Sequence, residues 1–161
     1  MSHEWVLWAM VAASALHVAE ERALGWQGWA TGVLGPRFGA RPTWDDFWAT
    51  NAALIVIGIA TASVAWRAPA FALAFPALAL INAVFFHVLP SIQARRPNPG
   101  CFTAVLLYVP VGLWCYDAAG KDDVLSAGAL VGSVALGALL MAFALVNLML
   151  KARFAYADAR G

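Results

Sequence analysis

Two carboxylates and an imidazole stand close together in the first apolar stretch of the chain. His17 is followed by Glu20 and Glu21, at spacings of three and four residues. On a helix these spacings bring both carboxylates near the imidazole, on one face. Such pairs hold metals in the cores of helical bundles, and they also serve acid–base chemistry. The run therefore predicts a metal-binding site, with His17, Glu20 and Glu21 as catalytic candidates and ligands.

Further polar residues interrupt the apolar stretches that follow. They are Asn51, Asn82, His87 and Asn147. Such residues are costly inside a membrane helix and are functional candidates by default. We predict His87 as a fourth metal ligand, and the asparagines as residues that orient ligands or bind substrate. For Asn82 and Asn147 an ordinary interhelical hydrogen bond is the alternative. Asn82 and His87 lie about 140° apart on a regular helix, unless Pro90 distorts the winding.

Composition places these residues in a lipid bilayer. Of the 161 residues, 63% are hydrophobic and 12% are charged, against the ~25% charged residues that are usual in soluble domains. A soluble enzyme of this length needs a polar shell that these residues cannot supply. The net charge of +1 also provides no basic surface for a nucleic-acid partner. We therefore expect an integral membrane protein.

Five stretches are long and apolar enough, or nearly so, to cross the membrane as helices. They are residues 5–24, 47–66, 69–92, 101–116 and 124–150. They predict an all-α integral membrane protein: a five-transmembrane-helix bundle that forms a single membrane domain over residues 1–161. Residues 25–46, rich in glycine and tryptophan, are interpreted as an interfacial loop or a short surface helix. A lid over the site is the alternative.

The distribution of basic residues predicts the orientation of this bundle. With five crossings, one side carries only Arg67 and Lys121. The other side carries Arg22, Arg37, Arg41, Arg95, Arg96, Lys151, Arg153 and Arg160. The positive-inside rule then places the N-terminus outside and the C-terminus in the cytoplasm. In this orientation the polar residues form a layer roughly 6–12 Å below the cytoplasmic interface, with Asn82 deeper.

The run His-Val-Ala-Glu-Glu at residues 17–21, at the end of a first apolar segment, resembles the HXXEE-motif family of small uncharacterised bacterial membrane proteins. The likeness extends to the Asn51 segment, to the stretch from Asn82 to His87 and to the loop at residues 95–100. An aromatic residue is frequent in such families at a position like Pro97, so the loop differs here in detail. The resemblance implies a membrane setting, in the bacterial inner membrane, and no assigned reaction.

Three functions fit these predictions. A membrane-embedded metal-dependent enzyme, a hydrolase or oxidoreductase, would use a divalent Zn, Fe or Mn ion on an apolar or lipid-like substrate near the cytoplasmic face. A metal-free acid–base isomerase would use the same side chains, in an architecture similar in outline to the emopamil-binding sterol isomerases. A non-enzymatic transporter, sensor or complex subunit is the third. Lipids and an apolar small molecule are the expected partners, and a homo-oligomer is left open.

Overall fold

The computed structural model describes residues 2–39 and 41–158, and every regular element within them is helical. The all-α prediction is confirmed for this part of the chain, and Arg160 of the charge count lies outside it. We label six helices in chain order: α1 (Val6–Ala23), α2 (Trp26–Phe38), α3 (Trp44–Arg67), α4 (Pro69–Ala94), α5 (Cys101–Lys121) and α6 (Ala127–Asp158).

Within the described residues, four helices are long and apolar enough to cross a bilayer: α3, α4, α5 and, over Ala127–Asn147, α6. Each begins within three residues of a predicted span. The remaining predicted span is α1, which does not meet the same criteria. Its 18 residues are long enough, but three of them, Glu20, Glu21 and Arg22, are charged. The coarse prediction of a helical membrane protein is therefore supported by four helices rather than five.

Helix α1 lies within the bundle and packs against α3 and α5. Its first turns bury Val6, Leu7 and Met10, which are at most 2% exposed. Helix α6 packs along the first half of α4. At Gly137 the two backbones approach so closely that a Cβ atom would lie 2.7 Å from the backbone nitrogen of Leu78. The core therefore lies between α1, α4 and α5, with α6 against its side.

The predicted loop at residues 25–46 contains the helix α2. Gly25 and Gly39, both with positive φ, flank this helix. Helix α3 then begins with a capping box, in which the Thr43 hydroxyl accepts from the Asp46 amide and the Asp46 carboxylate accepts from the Thr43 amide. Aromatic rings fix this segment, because Trp26 and Trp44 both pack on Phe47, with ring centroids 5.0 and 5.3 Å away.

Helices α4 and α5 are each interrupted by a π-helical turn, at Ala83–Val88 and Ala104–Tyr108. Each turn ends two residues before a proline, Pro90 or Pro110. Proline has no N–H group, so it cannot complete the regular backbone ladder. The two π-helical turns contact each other. Turns of this kind are rare and are frequent at functional sites.

Asp122, between α5 and α6, ties three parts of the chain together at one end of the bundle. Its carboxylate accepts from the His3 backbone nitrogen at 2.6 Å and pairs with His3 Nδ1 at 2.6 Å. It also accepts from Trp66 Nε1 at 2.7 Å. The N-terminal segment, the end of α3 and the α5–α6 connection therefore meet. At the opposite end, the Arg22 guanidinium lies 4.3 Å above the Trp44 ring.

We expect Asp122→Asn to lower the midpoint of thermal unfolding at pH 6, because the carboxylate loses its pair with His3. The side-chain and backbone hydrogen bonds from His3 hold the pKa of Asp122 below its usual range. A carboxyl with a lowered pKa contributes stability that is complete above its unfolded pKa of about 3.9 and is lost as the pH falls below it. The difference between wild type and variant is therefore expected to shrink below about pH 4.

The matched control is Asp117→Asn, one turn earlier on α5. Asp117 pairs with Lys121 at 2.7 Å, but both side chains are more than half exposed. Exposed pairs of this kind contribute little to stability, so the control is expected to melt like the wild type. Circular dichroism of the detergent-purified proteins measures all three midpoints. Equal midpoints for wild type and Asp122→Asn at pH 6 would contradict the assigned role.

Candidate functional site

His17, Glu21 and His87 converge in the interior of the bundle. The Nε2 atoms of His17 and His87 lie 3.8 and 3.7 Å from the same carboxylate oxygen, Glu21 Oε1. Their possible ligand atoms all lie within 4.8 Å of one another. The three residues are only 3%, 6% and 2% exposed, respectively. The structure therefore brings together three of the four predicted ligands, from helices far apart in the sequence.

The helices α1 and α4 position these side chains in different ways. His17 and Glu21 lie one turn apart on α1, so they present their side chains to the same neighbour. His87 lies in the π-helical turn of α4, and its ring meets the His17 ring edge-on with centroids 4.7 Å apart. The distortion expected near Pro90 is present. It places a π-helical turn directly after Asn82, with His87 inside the turn.

The second ring nitrogen of His17 is engaged by Thr103, at the start of α5. His17 Nδ1 lies 2.8 Å from Thr103 Oγ1, and this hydroxyl lies 2.5 Å from Glu20 Oε2. The Glu20 carboxylate also accepts from the backbone nitrogens of Thr103 at 2.7 Å and Phe102 at 3.2 Å. Both oxygens of Glu20 thus bind the start of α5, where helix N-termini favour negative charge. Its predicted role as a ligand stays a prediction.

The second ring nitrogen of His87 is engaged by Asn98, in the loop before α5. His87 Nδ1 lies 3.1 Å from Asn98 Oδ1. The amide nitrogen of the same side chain donates to the Phe86 carbonyl at 2.7 Å. In a regular α-helix the backbone N–H at position 90 would donate to this carbonyl. Pro90 has no N–H group, so the carbonyl needs another donor. Asn98 is 5% exposed. Its buried side-chain amide therefore binds the free Phe86 carbonyl and also orients the His87 ring.

The hydrogen-bond network assigns the tautomers of both rings. A neutral imidazole has one N–H group. Because the Thr103 hydroxyl donates to Glu20, it accepts from His17 Nδ1. Because Asn98 donates through its amide nitrogen, its oxygen accepts from His87 Nδ1. Both Nε2 atoms therefore carry lone pairs, and neither has a hydrogen-bond partner. Together with Glu21 Oε1 these two atoms form three neighbouring hydrogen-bond acceptors, which we call the group of acceptors. No donor lies among them, and the distances between them are too long for hydrogen bonds.

Gly100 covers this group of acceptors. Its φ is +90°, and a Cβ atom would lie 2.6 Å from His87 Cε1, 2.7 Å from His17 Cε1 and 3.0 Å from Glu21 Cγ. Real side chains do not approach so closely, so the position requires glycine. Tyr108, from the π-helical turn of α5, packs its ring 4.3 Å from that of His17. The loop before α5 thus covers the group of acceptors, and the lid role considered for residues 25–46 stays a prediction.

The three predicted asparagines make no described hydrogen bond to the group of acceptors. The Asn51 amide donates to the Phe47 carbonyl of its own helix at 3.0 Å. Asn82 Oδ1 is buried without a hydrogen-bond partner. Among the described side chains, no hydrogen bond joins Asn82 or Asn147 to the histidines or to Glu21. Their predicted roles in orienting ligands or binding substrate stay predictions.

Sequence reasoning did not single out Thr103, Asn98 or Gly100. Asn98 and Gly100 lie in the loop at residues 95–100, which contributes to the family resemblance. The resemblance marks this loop but does not say what either residue does. Thr103 is an ordinary helix-start residue by type. Only the fold shows that it bridges His17 and Glu20.

A family model described as a protein of unknown function with HXXEE motif matches residues 8–115. The chain belongs to this family. The resemblance read from residues 17–21 is confirmed. The matched range includes His17, Glu21 and His87, which together we call the HXXEE site. No curated protein and no solved structure matches the chain. The chemistry of the HXXEE site must therefore be argued from its own geometry.

We expect Gly100→Ala to destabilise the protein by about 1–3 kcal/mol, because alanine is strained at this φ and its Cβ would press on both histidines. The matched control is Gly120→Ala in α5, where a Cβ atom has nothing within 4 Å. Alanine is favoured over glycine in a helix, so this variant is expected to be at least as stable as the wild type. Chemical unfolding in detergent measures both. A Gly100→Ala protein as stable as wild type would contradict the close packing.

Proposed function

We propose that this protein is a membrane-embedded metal-dependent enzyme, a hydrolase or oxidoreductase, with His17, Glu21 and His87 as its metal ligands. The observation that carries the proposal is the meeting of three buried acceptors without a donor. A buried carboxylate needs a compensating charge, and two unpartnered imidazole lone pairs add to the cost. One divalent cation satisfies all three groups at once.

The donor set fits a catalytic ion better than a purely structural one. Two histidines and a glutamate ligate zinc in catalytic sites, where the fourth position is left for water or substrate. Two histidines and a carboxylate also form the ligand set of non-haem Fe(II) oxygenases. Ligand bonds of about 2.0–2.2 Å place tetrahedral ligand atoms about 3.4 Å apart. The observed Nε2–Oε1 distances of 3.8 and 3.7 Å exceed this value by a few tenths of an ångström, and all three ligand atoms lie within 4.8 Å of one another.

A bound Zn, Fe or Mn ion would supply Lewis acidity or redox chemistry at this position. The chain's own residues hold the ligands and exclude water. Thr103 and Asn98 fix the imidazoles, and Gly100 seals the HXXEE site from the loop side. Because the surroundings are apolar, the substrate class we propose is an apolar or lipid-like molecule that reaches the site from the bilayer. Lipids are the other expected partners.

A metal-free acid–base isomerase is the second candidate, because Glu21 lies between two imidazoles in a buried setting. The same side chains could then exchange protons with a bound substrate. The unpartnered Nε2 atoms favour the metal-bound form, since a proton on Glu21 could satisfy one imidazole and not both. The metal content of the protein separates these two candidates.

We also propose that α1 is a fifth crossing, with the N-terminus outside and the C-terminus in the cytoplasm of a bacterial inner membrane. Two contacts support this arrangement. His3 meets Asp122 at one end of the bundle, and Arg22 meets Trp44 at the other. The 18 residues of α1 span about 27 Å, close to the thickness of the hydrocarbon core. The glutamates of α1 avoid lipid because Glu21 faces α4 and Glu20 faces α5.

We expect about one divalent ion per chain in the detergent-purified wild type after incubation with Zn²⁺, Fe²⁺ or Mn²⁺. His17→Ala, Glu21→Gln and His87→Ala each remove one ligand and are expected to lose the ion while remaining helical. His3→Ala is the matched control, because His3 lies at the opposite end of the bundle. Elemental analysis gives the metal content, and circular dichroism checks the fold. A wild type that stays empty with all three metals would overturn the proposed metal site and favour the acid–base function.

The reaction class is tested with the metal-loaded protein and a total bacterial lipid extract. Mass spectrometry before and after incubation detects hydrolysed or oxidised lipids. We expect product with the wild type and none with Glu21→Gln. Equal product with both proteins would contradict catalysis at this site.

The orientation is tested with single cysteines in a background in which Cys101 and Cys115 are replaced by alanine. Glu4→Cys and Arg41→Cys place a thiol at exposed positions before and after α1. With a membrane-impermeant maleimide on intact bacterial cells, we expect labelling of Glu4→Cys, and labelling of Arg41→Cys only after permeabilisation. Labelling of both positions from the same side would show that α1 does not cross.

A further inference from the structure

We propose that Glu20 is a positioning residue, which acts through Thr103 to hold His17 in the tautomer that offers Nε2 to the metal. The effect on metal affinity rests on the proposed function, whereas the tautomer is a property of the metal-free protein. The HXXEE motif then contains two ligands, His17 and Glu21, and one residue that orients a ligand.

The helical positions of the two glutamates explain this division. Neighbouring residues on a helix point about 100° apart. Glu21 therefore points towards α4, where its Oε1 lies 3.7 Å from His87 Nε2. Glu20 points towards α5, where both of its oxygens are occupied by Phe102 and Thr103. A carboxylate held by three donors on a neighbouring helix is a fixed anchor and has no oxygen directed at the group of acceptors.

The Thr103 hydroxyl transmits the effect of Glu20 to His17. This hydroxyl has one hydrogen and three possible acceptors within reach: Glu20 Oε2 at 2.5 Å, His17 Nδ1 at 2.8 Å and the Gly100 carbonyl at 3.3 Å. The shortest contact, to a carboxylate, is the strongest hydrogen bond. Because its hydrogen is donated to Glu20, the hydroxyl can only accept a hydrogen bond from His17, whose Nδ1 is 2.8 Å away. The proton of the imidazole is therefore held at Nδ1, and the lone pair is left at Nε2.

Such a chain of hydrogen bonds strengthens a histidine ligand. A carboxylate or hydroxyl partner on the remote ring nitrogen fixes the ring orientation and raises the basicity of the ligating nitrogen. Loss of such a partner typically lowers metal affinity by about 10–100-fold. Because Glu20 and Thr103 act in one chain, removing both is expected to cost no more than removing either.

The first measurement is the tautomer of each histidine in the metal-free protein, read from NMR shifts of ¹⁵N-labelled imidazoles in detergent. In the wild type we expect the Nδ1–H form for His17 and His87. Thr103→Val removes the hydroxyl but keeps the backbone nitrogens that bind Glu20, so we expect His17 to lose its Nδ1–H preference. His87, which is oriented by Asn98, is the internal control and is expected not to change. Thr103→Ser restores a hydroxyl and is expected to restore the wild-type spectrum.

The second measurement is metal affinity, by competition titration with Zn²⁺ and by the visible spectrum of bound Co²⁺. We expect Glu20→Gln and Thr103→Val each to weaken binding about 10–100-fold, with the double variant close to the singles. Thr103→Ser is expected to bind like the wild type. Glu21→Gln, the matched substitution at the next residue, is expected to lose binding altogether.

Three results would overturn the positioning role. Wild-type His17 in the Nε2–H form would contradict the assigned hydrogen bonds. If Thr103→Val keeps the wild-type His17 tautomer and the wild-type metal affinity, Glu20 only caps the N-terminus of α5. Complete loss of metal in Glu20→Gln, with an unchanged tautomer, would make Glu20 a ligand. If the wild-type protein has His17 in the Nδ1–H form but binds no metal, the proposed function is wrong. The role of Glu20 and Thr103 in setting the tautomer of His17 would still hold.

Discussion

The burial of the Glu21 carboxylate against two imidazole lone pairs is the constraint on which the rest of the structure depends. All three groups accept hydrogen bonds, and none supplies a proton to the others at the observed separations. Removing an ion from water without a partner costs several kcal/mol in a real protein. A bound cation or a proton on Glu21 would lower this cost, and either requires the two histidines to be held rigidly around the carboxylate. The Thr103 and Asn98 contacts provide this rigidity.

The same constraint explains why the backbone is irregular where it is. The π-helical turn of α4 carries His87, and that of α5 follows Thr103 directly. Non-helical backbone at membrane depth is tolerated only where protein covers it and satisfies its polar groups. Asn98 does this for the Phe86 carbonyl. Pro90 thus leaves a backbone carbonyl free, and the buried Asn98 side chain binds this carbonyl while it orients the His87 ring.

Some of this arrangement could be predicted from the sequence because it depends on local properties. Length and hydropathy are local, and they located the helices α3 to α6. The motif spacing and the isolated His87 indicated three side chains that the fold does bring together. The separation of Glu20 from Glu21 could not be predicted, because it depends on which helix faces each carboxylate. The roles of Thr103 and Gly100 depend on contacts with residues of α1 and α4 that are far away in the sequence. The apolar residues of α1 predict a fifth span, but its charged end must be covered by neighbouring helices, which the local pattern does not show.

The wide sequence separation within the HXXEE site has a consequence for the order of events during synthesis. Glu20 and Thr103, which share hydrogen bonds, are 83 residues apart. At an elongation rate of about 5–20 residues per second, the ribosome makes Thr103 about 4–17 s after Glu20. Throughout that time the nascent α1 carries the Glu20 carboxylate without the donors that bind it in the folded protein. This carboxylate must stay in contact with water or the insertion machinery, so α1 can reach its final packing only after α2, α3 and α4 have been made and α5 has begun.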